Sequence, residues 1–123
     1  MDSNYSFIAS ISTRSDFTIQ EIVEAFTDCE ELDIPGQDFF YVLNDSQFVI
    51  TAYENDVEGN RRIIGIIQVL SDMRWSAVIN FVYVRPEYRG KGVGTLMMQA
   101  LVAKLRGIKW VYVAPNNMDV APL

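Results

Sequence analysis

The chain of 123 residues contains no histidine and a single cysteine, Cys29. Without histidine, the protein cannot build a Ser–His–Asp or Cys–His catalytic unit, nor a metal site with histidine ligands. One cysteine cannot form an intramolecular disulfide or a cysteine-rich metal site. We therefore expect no metal, and we interpret Cys29 as a small, half-buried residue, with a nucleophile as the alternative.

Basic residues and long apolar runs are also scarce. The 10 Lys and Arg residues are outnumbered by 16 Asp and Glu residues, which gives a net charge of -6 and argues against a nucleic-acid partner. We interpret this charge as a source of solubility, and a preference for cationic amine acceptors is the alternative. No apolar run approaches the ~18 residues that a membrane span needs. Residues 1–6 also lack a signal-peptide pattern, so a cytoplasmic protein is expected.

The length and composition predict one α+β domain over residues 1–123. Half of the residues are apolar, which is enough for a packed core. The periodicity of the apolar residues predicts the order β-α-β-β-β-α-β. The predicted strands are residues 7–12, 47–54, 63–70, 76–84 and 109–114, and the helices begin near Ile19 and Thr95. The three middle strands are joined by short polar turns and form an antiparallel meander, whereas residues 32–41 form a loop or a short second helix.

A glycine-rich segment joins the fourth strand to the last helix. This glycine turn consists of Arg89, Gly90, Lys91, Gly92, Val93 and Gly94. Glycine has no Cβ, so the backbone can approach a bulky ligand closely. The free N–H groups and the dipole of the following helix favour negative charge, and Arg89 and Lys91 add positive charge. The pattern predicts a pyrophosphate site, and a plain strand-to-helix turn is the alternative.

The spacing of the glycine turn is neither that of a P-loop nor that of a dinucleotide-binding fold. It resembles the signature R/Q-x-x-G-x-G/A of the GNAT family of N-acetyltransferases. The resemblance implies a GNAT-like α/β/α fold with a mixed, mainly antiparallel sheet flanked by helices. It also implies acetyl-CoA as co-substrate, with the pyrophosphate held by the backbone of the glycine turn. The other implied contacts to CoA come from Val82, Val84, Thr95 and Asn117.

The resemblance further implies an N-acetyltransferase that moves an acetyl group directly from acetyl-CoA to an amine. In the family, the segment between the first helix and the second strand often lines the acceptor site. The corresponding candidates here are Asp33, Asp38, Phe39, Phe40 and Tyr41. The alternative is that these aromatic residues only pack on the sheet.

The catalytic groups of the family have no direct counterparts in this sequence. The resemblance places a carboxylate base near Val78 or Asn80, and neither is acidic. Asn80 is therefore the candidate to hold a water, with Glu54 as the candidate proton acceptor. Asp72 and Glu87 are further candidates to accept the proton, and a solvated surface charge is the alternative for each of the three carboxylates.

The family's usual tyrosine acid would lie just beyond Leu123, since the resemblance stops after the fifth strand, before the last helix and two strands of the family fold. Tyr112 or Tyr83 could replace that acid, or both could pack in the core. The open edge of the fifth strand is expected to be covered by a second subunit in a homodimer, by strand exchange or by further sequence. Two other functions stay open: a catalytically degenerate module that binds CoA or a protein partner, and an α+β protein that does not bind CoA.

Overall fold

The glycine turn lies between the fourth strand and the last helix of a mixed α+β fold. The computed structural model describes residues 9–14, 16–26, 36–46 and 48–113. The strands are β1 (Ala9–Ser12), β2 (Phe48–Asn55), β3 (Arg61–Ser71), β4 (Ser76–Val84) and β5 (Trp110–Val113). The helices are α1 (Ile19–Phe26), α2 (Gly36–Asn44) and α3 (Val93–Lys104), and a 3₁₀ turn, Pro86–Tyr88, precedes the glycine turn.

The five strands form one sheet in the order β1-β2-β3-β4-β5. Strands β1 to β4 are antiparallel neighbours, and β5 pairs in parallel with β4. The predicted meander and the predicted fold class are therefore confirmed. The sequence left open whether a loop or a short helix follows the first helix, and the structure has the helix α2, which adds one helix to the predicted order.

Helix α1 begins at a reciprocal pair of hydrogen bonds. The N–H of Glu21 donates to Thr18 Oγ1 at 3.1 Å, and the N–H of Thr18 donates to Glu21 Oε1 at 2.8 Å. These bonds satisfy two donors that the first turn would otherwise leave unpaired, so Thr18 is the cap of the helix.

The sheet separates two hydrophobic cores. On one face, α1 contributes Ile22 and Phe26, which pack with inward-facing residues of β2, β3 and β4, and Phe81 and Tyr83 are part of this core. On the other face, α3 contributes Met97 and Leu101. Alternate residues of β2 enter opposite cores, as expected for a strand that is buried on both faces.

Two irregularities in the ladder shift the pairing of the central strands. In β3, Ile64 is an extra residue between the pairs Ala52↔Gly65 and Tyr53↔Ile63. In β4, Asn80 is an extra residue between the pairs Val69↔Ile79 and Gln68↔Phe81. A bulge of this kind bends the strand and redirects side chains, and the one at Asn80 lies at the candidate site.

Candidate functional site

The glycine turn needs glycine because of its backbone conformation. Gly90 and Gly92 have φ values of 78° and 90°, which side chains with a Cβ rarely adopt. A Cβ built on either residue would meet no atom within 4 Å, so the space beside the turn is open. That open space is what a ligand close to the backbone requires.

The start of α3 offers unpaired N–H donors. Gly92 is the N-cap of α3 and supplies no side chain to cap it, and the first turn contains no acidic residue. Leu96 is the first residue of this turn whose N–H is bonded, to the carbonyl of Gly92 at 3.1 Å. The N–H groups of residues 90–95 donate to no acceptor in the described part of the chain. They form a row of donors at the positive end of a helix dipole, an arrangement that suits an anion.

Arg89 differs from the rest of the glycine turn. Its backbone N–H donates to the carbonyl of Pro86 at 3.2 Å, and its Nε donates to the carbonyl of Val84 at 2.7 Å. Its guanidinium lies over the ring of Tyr83, 5.4 Å from the centroid. The Arg89 N–H, predicted to hold the pyrophosphate, is thus already used within the chain, and the Arg89 side chain ties the turn to the end of β4. Lys91 is exposed as well, but it makes no hydrogen bond or ion pair with the described residues.

Strand β4 directs two backbone donors away from β3. The N–H of Arg85 donates to the carbonyl of Ile64 at 2.8 Å, so it faces β3. Because successive N–H groups of a strand point to opposite edges, those of Val84 and Val82 face the β5 side. Among the described residues, β5 pairs only with residues 76–79 of β4, ending at Ile79↔Val113. Val82 and Val84 therefore present their N–H groups beyond the last β4–β5 pair.

A groove unites several of the predicted CoA residues. Its volume is about 660 Å³, and it is lined by Val82, Gly94, Thr95, Met98, Gln99 and Val102. A second apolar cavity of about 460 Å³ shares Met98 and Val102 with it and extends to Val111 and Val113 of β5. The groove thus leads from the N-terminus of α3 along β4. It brings the unpaired N–H groups of residues 90–95 together with the part of β4 that no described residue of β5 pairs with.

Asn80 lies on the opposite face of the sheet, directly after the last described β4–β5 pair. Its Nδ2 donates to Gln68 Oε1 at 2.9 Å, and Gln68 Nε2 donates to Ser46 Oγ at 2.7 Å. Gln68 is only 4% exposed, whereas Asn80 is exposed. Sequence reasoning missed Gln68 and Ser46. The only sequence feature that could have pointed to Gln68 is its polar side chain within the apolar run of β3. No sequence feature distinguishes Ser46 before the fold is known.

Glu54 does not lie near Asn80. Its pairing partner on β3 is Arg62, six residues from Gln68, which corresponds to about 20 Å along the strand. Its carboxylate instead accepts a short hydrogen bond from the hydroxyl of Tyr88. Glu54 and Asn80 therefore cannot share a proton through one water, contrary to the prediction from the sequence, and Glu54 serves to anchor the segment before the glycine turn.

The other carboxylates proposed to accept a proton also have structural partners. Asp72 Oδ1 accepts from the N–H groups of Arg74, Trp75 and Ser76, which closes the β3–β4 turn. These bonds lower the pKa of Asp72 from its ordinary value. Glu87 is exposed and lies 3.6 Å from Arg62 and 3.7 Å from Arg85. Both carboxylates are therefore explained as structural or surface charges.

The two tyrosines proposed as acids have different environments. Tyr83 is 4% exposed and packs against Phe26 and Phe81, as predicted for a core residue. Tyr112 is 55% exposed, so the expectation that it packs in the core is wrong. Val111 and Val113 face the cavity under α3, which places Tyr112 on the same face of the sheet as Asn80.

The predicted acceptor residues belong partly to α2. Asp38 and Tyr41 are exposed on this helix, whereas Phe40 is partly buried and makes an edge contact with Phe17 at 5.9 Å. Phe39 lies within α2. Asp33, Cys29 and Asn117 fall outside the described residues. Phe40 and Tyr41 thus divide between the core and the surface.

The described ranges, residues 9–14, 16–26, 36–46 and 48–113, contain neither a metal-ligand cluster nor a membrane-spanning helix. No group of three or more Cys, Asp or Glu residues there is arranged to hold a metal ion. None of the helices within those ranges is long and apolar enough to cross a bilayer.

The family model described as "Acetyltransferase (GNAT) family" matches residues 13–123. No curated protein matches the chain significantly.

Solved structures share the fold at low sequence identity. A Deinococcus radiodurans R1 protein, named for a proposed acetyltransferase activity, has a TM-score of 0.72 at 20% identity, over 99% of this chain and 80% of that one. A GNAT family acetyltransferase from Streptococcus pneumoniae TIGR4 has a TM-score of 0.68 at 15% identity, over 93% and 80%. The diaminobutyrate acetyltransferase EctA from Paenibacillus lautus, in complex with L-2,4-diaminobutyric acid and coenzyme A, has a TM-score of 0.63 at 16% identity, over 94% and 70%.

Proposed function

Because the chain belongs to the GNAT family of acetyltransferases, we propose that it moves an acetyl group from acetyl-CoA to an amine by direct transfer. In this proposal, residues 1–123 form one acyl-CoA-binding domain. The observation that carries it is the row of open N–H groups of residues 90–95 beside a groove lined by Val82, Gly94 and Thr95. The Paenibacillus lautus structure, which contains coenzyme A and an amine substrate, supports the same assignment by its fold.

The backbone of this chain supplies the binding groups. The N–H groups of residues 90–95 would hold the pyrophosphate, with Lys91 adding positive charge and the Thr95 hydroxyl a further donor. The N–H groups of Val82 and Val84 would bind the pantetheine arm along the open edge of β4. Bound acetyl-CoA supplies the acetyl group as a thioester, which a neutral amine attacks and from which the thiol departs.

Positioning would provide most of the acceleration. A backbone N–H of β4 aimed at the thioester carbonyl stabilises the negative charge that develops on its oxygen. Holding the amine beside that carbonyl replaces a bimolecular encounter by a local one. This mechanism needs no covalent enzyme intermediate, which fits a site whose described residues offer no activated nucleophile.

A binding module without turnover is the second candidate, and a specific observation favours it. Position 80 carries an asparagine that donates to Gln68 in place of a carboxylate, and Glu54 is bonded to Tyr88 elsewhere. An assay of thiol release from acetyl-CoA in the presence of primary amines separates the two functions. Amine-dependent release identifies the enzyme, whereas binding of acetyl-CoA without release identifies the module.

Thermal unfolding in a concentration series of acetyl-CoA tests the site itself. A ligand that binds only the folded state stabilises it by about 2.7 kcal/mol at one hundred times its dissociation constant. In the variant Thr95→Glu, a carboxylate in the first turn of α3 repels the pyrophosphate, so the shift should disappear. The same carboxylate favours the helix dipole, so the free variant should be slightly more stable, by about 0.3–1 kcal/mol.

The matched control is Ala103→Glu, which adds the same charge to an exposed position of α3 that lines neither cavity. It should keep the full shift. If the wild-type chain shows no shift in millimolar acetyl-CoA, the proposed function is wrong. If both variants keep the shift, the ligand binds away from the glycine turn.

Two further parts of the proposal concern the protein's surroundings. We propose that a second copy covers β5, because all four residues of this strand are exposed. We also propose the cytoplasm as its location, since acetyl-CoA is the donor, and an amine rather than a nucleic acid as its partner. The acidic net charge of -6 is consistent with that choice.

A further inference from the structure

We propose that Asn80 Oδ1 accepts a hydrogen bond from the N–H of the acceptor amine, and that Gln68 and Ser46 are positioning residues that fix this orientation. The inference rests on the proposed function, because the amine is the acceptor of the transferred group. The inference adds to that function the residue that recognises the amine. It also adds the hydrogen-bond chain that fixes which atom of the Asn80 side-chain amide faces the amine.

The bulge in β4 brings Asn80 to the correct face. Ile79 belongs to the core under α3, whereas Phe81 belongs to the core under α1 and α2. Asn80 is the extra residue between them and bonds to Gln68, so Asn80 and Phe81 both lie on the α2 side of the sheet. A regular strand would place only one of these two residues on that side.

The direction of the hydrogen-bond chain is set at the end of α2. The N–H of Ser46 donates to the carbonyl of Leu43 at 3.1 Å, so it does not satisfy the carbonyl of Val42. The hydroxyl of Ser46 donates to that carbonyl instead, at 2.9 Å. A carbonyl can only accept, so the single hydrogen of the Ser46 hydroxyl is committed, and its oxygen is left to accept from Gln68.

The fixed orientation of the Ser46 hydroxyl sets the orientation of the Gln68 side-chain amide, and Gln68 in turn sets that of Asn80. Gln68 Nε2 must face Ser46, since it donates there at 2.7 Å, so Gln68 Oε1 faces Asn80. Asn80 must then direct Nδ2 toward Gln68, at 2.9 Å. Asn80 Oδ1 is consequently the atom that faces outward, and in the described part of the chain it accepts no hydrogen bond.

The outward oxygen stands next to the proposed site of transfer. Ile79↔Val113 is the last registered pair between β4 and β5, and Asn80 follows it directly. Val82, which lines the groove and whose N–H faces the β5 side of the strand, is two residues further along β4. An amine bound at Asn80 Oδ1 would therefore lie on the α2 side of β4, just past the last described β4–β5 pair, with the thioester on the other side of the strand.

An amide oxygen gives this recognition a definite chemistry. It accepts from the N–H of an amine in either protonation state, and it does not hold the amine in its charged form as an ion pair would. The occupant must keep at least one N–H, which selects primary and secondary amines over quaternary ammonium ions. Buried Gln68 cannot change its orientation without leaving Ser46 or Asn80 unpaired, so the selection is fixed by the fold.

Side-chain amide NMR tests the polarity of the chain without any turnover. The Nδ2 signals of Asn80 should differ from their wild-type positions in the variant Gln68→Leu. They should also differ in Ser46→Ala, because the change acts through Gln68, whereas Ser46→Thr should give the wild-type positions. Titration with n-butylamine should shift the same signals, and titration with n-butyltrimethylammonium, which has no N–H, should not. The inference would be overturned if the Asn80 signals did not change in Gln68→Leu, or if they shifted equally with n-butylamine and with n-butyltrimethylammonium.

Kinetics then test the role of Asn80 with n-butylamine as acceptor. In Asn80→Leu, the KM for the amine should rise about tenfold or more, while the KM for acetyl-CoA stays unchanged. Gln68→Leu should likewise raise the KM for the amine and leave the KM for acetyl-CoA unchanged, and Ser46→Thr should have the wild-type values of both. The exposed Asn55→Leu is the matched control and should change neither constant. An unchanged amine KM in Asn80→Leu would remove Asn80 from the acceptor site.

The acetyl-CoA thermal shift, measured on the same variants, distinguishes a failure of the proposed function from a failure of the assignment of Asn80. All of these variants should keep the wild-type thermal shift, because the Asn80–Gln68–Ser46 hydrogen-bond chain lies on the other face of the sheet from the glycine turn. If the wild type shows no shift, the proposed function fails, and the NMR titration still decides whether Asn80 binds an amine. If the shift is present and the amine titration leaves Asn80 unmoved, only the inference fails.

Discussion

Arg61 Nε donates to Glu21 Oε2 across 2.7 Å, which joins the first residue of β3 to the first turn of α1. Partial burial acts to raise the pKa of Glu21, but the bonds from Arg61 and Thr18 outweigh it and lower the pKa below its ordinary value of 4.5. A lowered carboxyl pKa stabilises the folded state above the unfolded pKa. This stabilisation is lost as the pH falls through the folded value.

We therefore expect Glu21→Gln to destabilise the protein at neutral pH. The glutamine can keep the capping bond but loses the charge, so the free energy of unfolding should fall by about 0.5–1 kcal/mol at pH 7. Below pH 4.5 the difference from wild type should shrink. Urea unfolding across this pH range measures both effects.

Glu58→Gln is the control for this pH dependence, because Glu58 is exposed in the β2–β3 turn and makes no ion pair among the described residues. It should leave the profile unchanged. A difference between Glu21→Gln and wild type that stays constant down to pH 3 would show that the ion pair contributes nothing.

The bond between Tyr88 and Glu54 gives a second pH prediction, at the alkaline end. Burial, followed by the hydrogen bond to Glu54, raises the pKa of Tyr88 to about 12. Since the unfolded tyrosine loses its proton near pH 10, deprotonation favours the unfolded state, and stability should fall between pH 10 and 12. The variant Tyr88→Phe should flatten this fall and lower the free energy of unfolding at pH 7 by about 1 kcal/mol.

The absorbance of phenolate at 295 nm, recorded during alkaline unfolding, reports the titration directly. Tyr41→Phe, at an exposed position of α2, is the matched control and should keep the wild-type slope. Tyr88→Phe should also weaken the binding of acetyl-CoA, because the bond anchors the segment that leads into the glycine turn. Equal slopes in the two variants would rule out this anchor.

Gly65 allows α3 to lie close to β3. A Cβ at this position would stand 2.8 Å from Met97 Cε and 3.0 Å from its Sδ. We expect Gly65→Ala to cost about 1–3 kcal/mol of unfolding free energy through overpacking. Met97 can be shortened, so the double variant with Met97→Ala should recover part of this loss relative to the sum of the single variants.

Urea unfolding of the four proteins in this cycle measures the coupling between Gly65 and Met97. Gly59→Ala serves as a contrast, because a Cβ there would meet nothing and only the positive φ of 87° is strained. It should cost stability with no coupling to Met97. Additive losses for Gly65 and Met97 would mean that another contact keeps position 65 small.

The exposed strand β5 predicts self-association. Val111 and Val113 are 47% and 70% exposed, beside an open strand edge in the described part of the sheet. If a second copy covers this edge, Val113→Lys should shift the protein toward monomer, because a charged residue on an edge strand opposes pairing. Sedimentation velocity over a range of concentrations measures the change.

Val57→Lys, in the fully exposed β2–β3 turn, is the control for the added charge. It should leave the association unchanged. A wild-type chain that sediments as a monomer at all concentrations would contradict the proposed covering of β5 by a second copy.

Local patterns in the sequence determined much of the fold. The bounds predicted for β4, residues 76–84, agree with the structure. The glycine turn and its position before α3 were also readable, because positive φ values and a helix start depend on neighbouring residues. Such features follow from short-range rules of backbone conformation and capping.

The roles of individual side chains depended on contacts between distant segments. Asn80 bonds to Gln68, and through Gln68 is linked to Ser46, only because a bulge turns it toward α2. Glu54 meets Tyr88 only because β2 lies beside the 3₁₀ turn. The sequence by itself therefore determined where an anion site could form. Only the tertiary structure decided how polar groups pair on the opposite face of the sheet and before the glycine turn, since hydrogen bonds between residues far apart in the chain are set by strand register and helix packing.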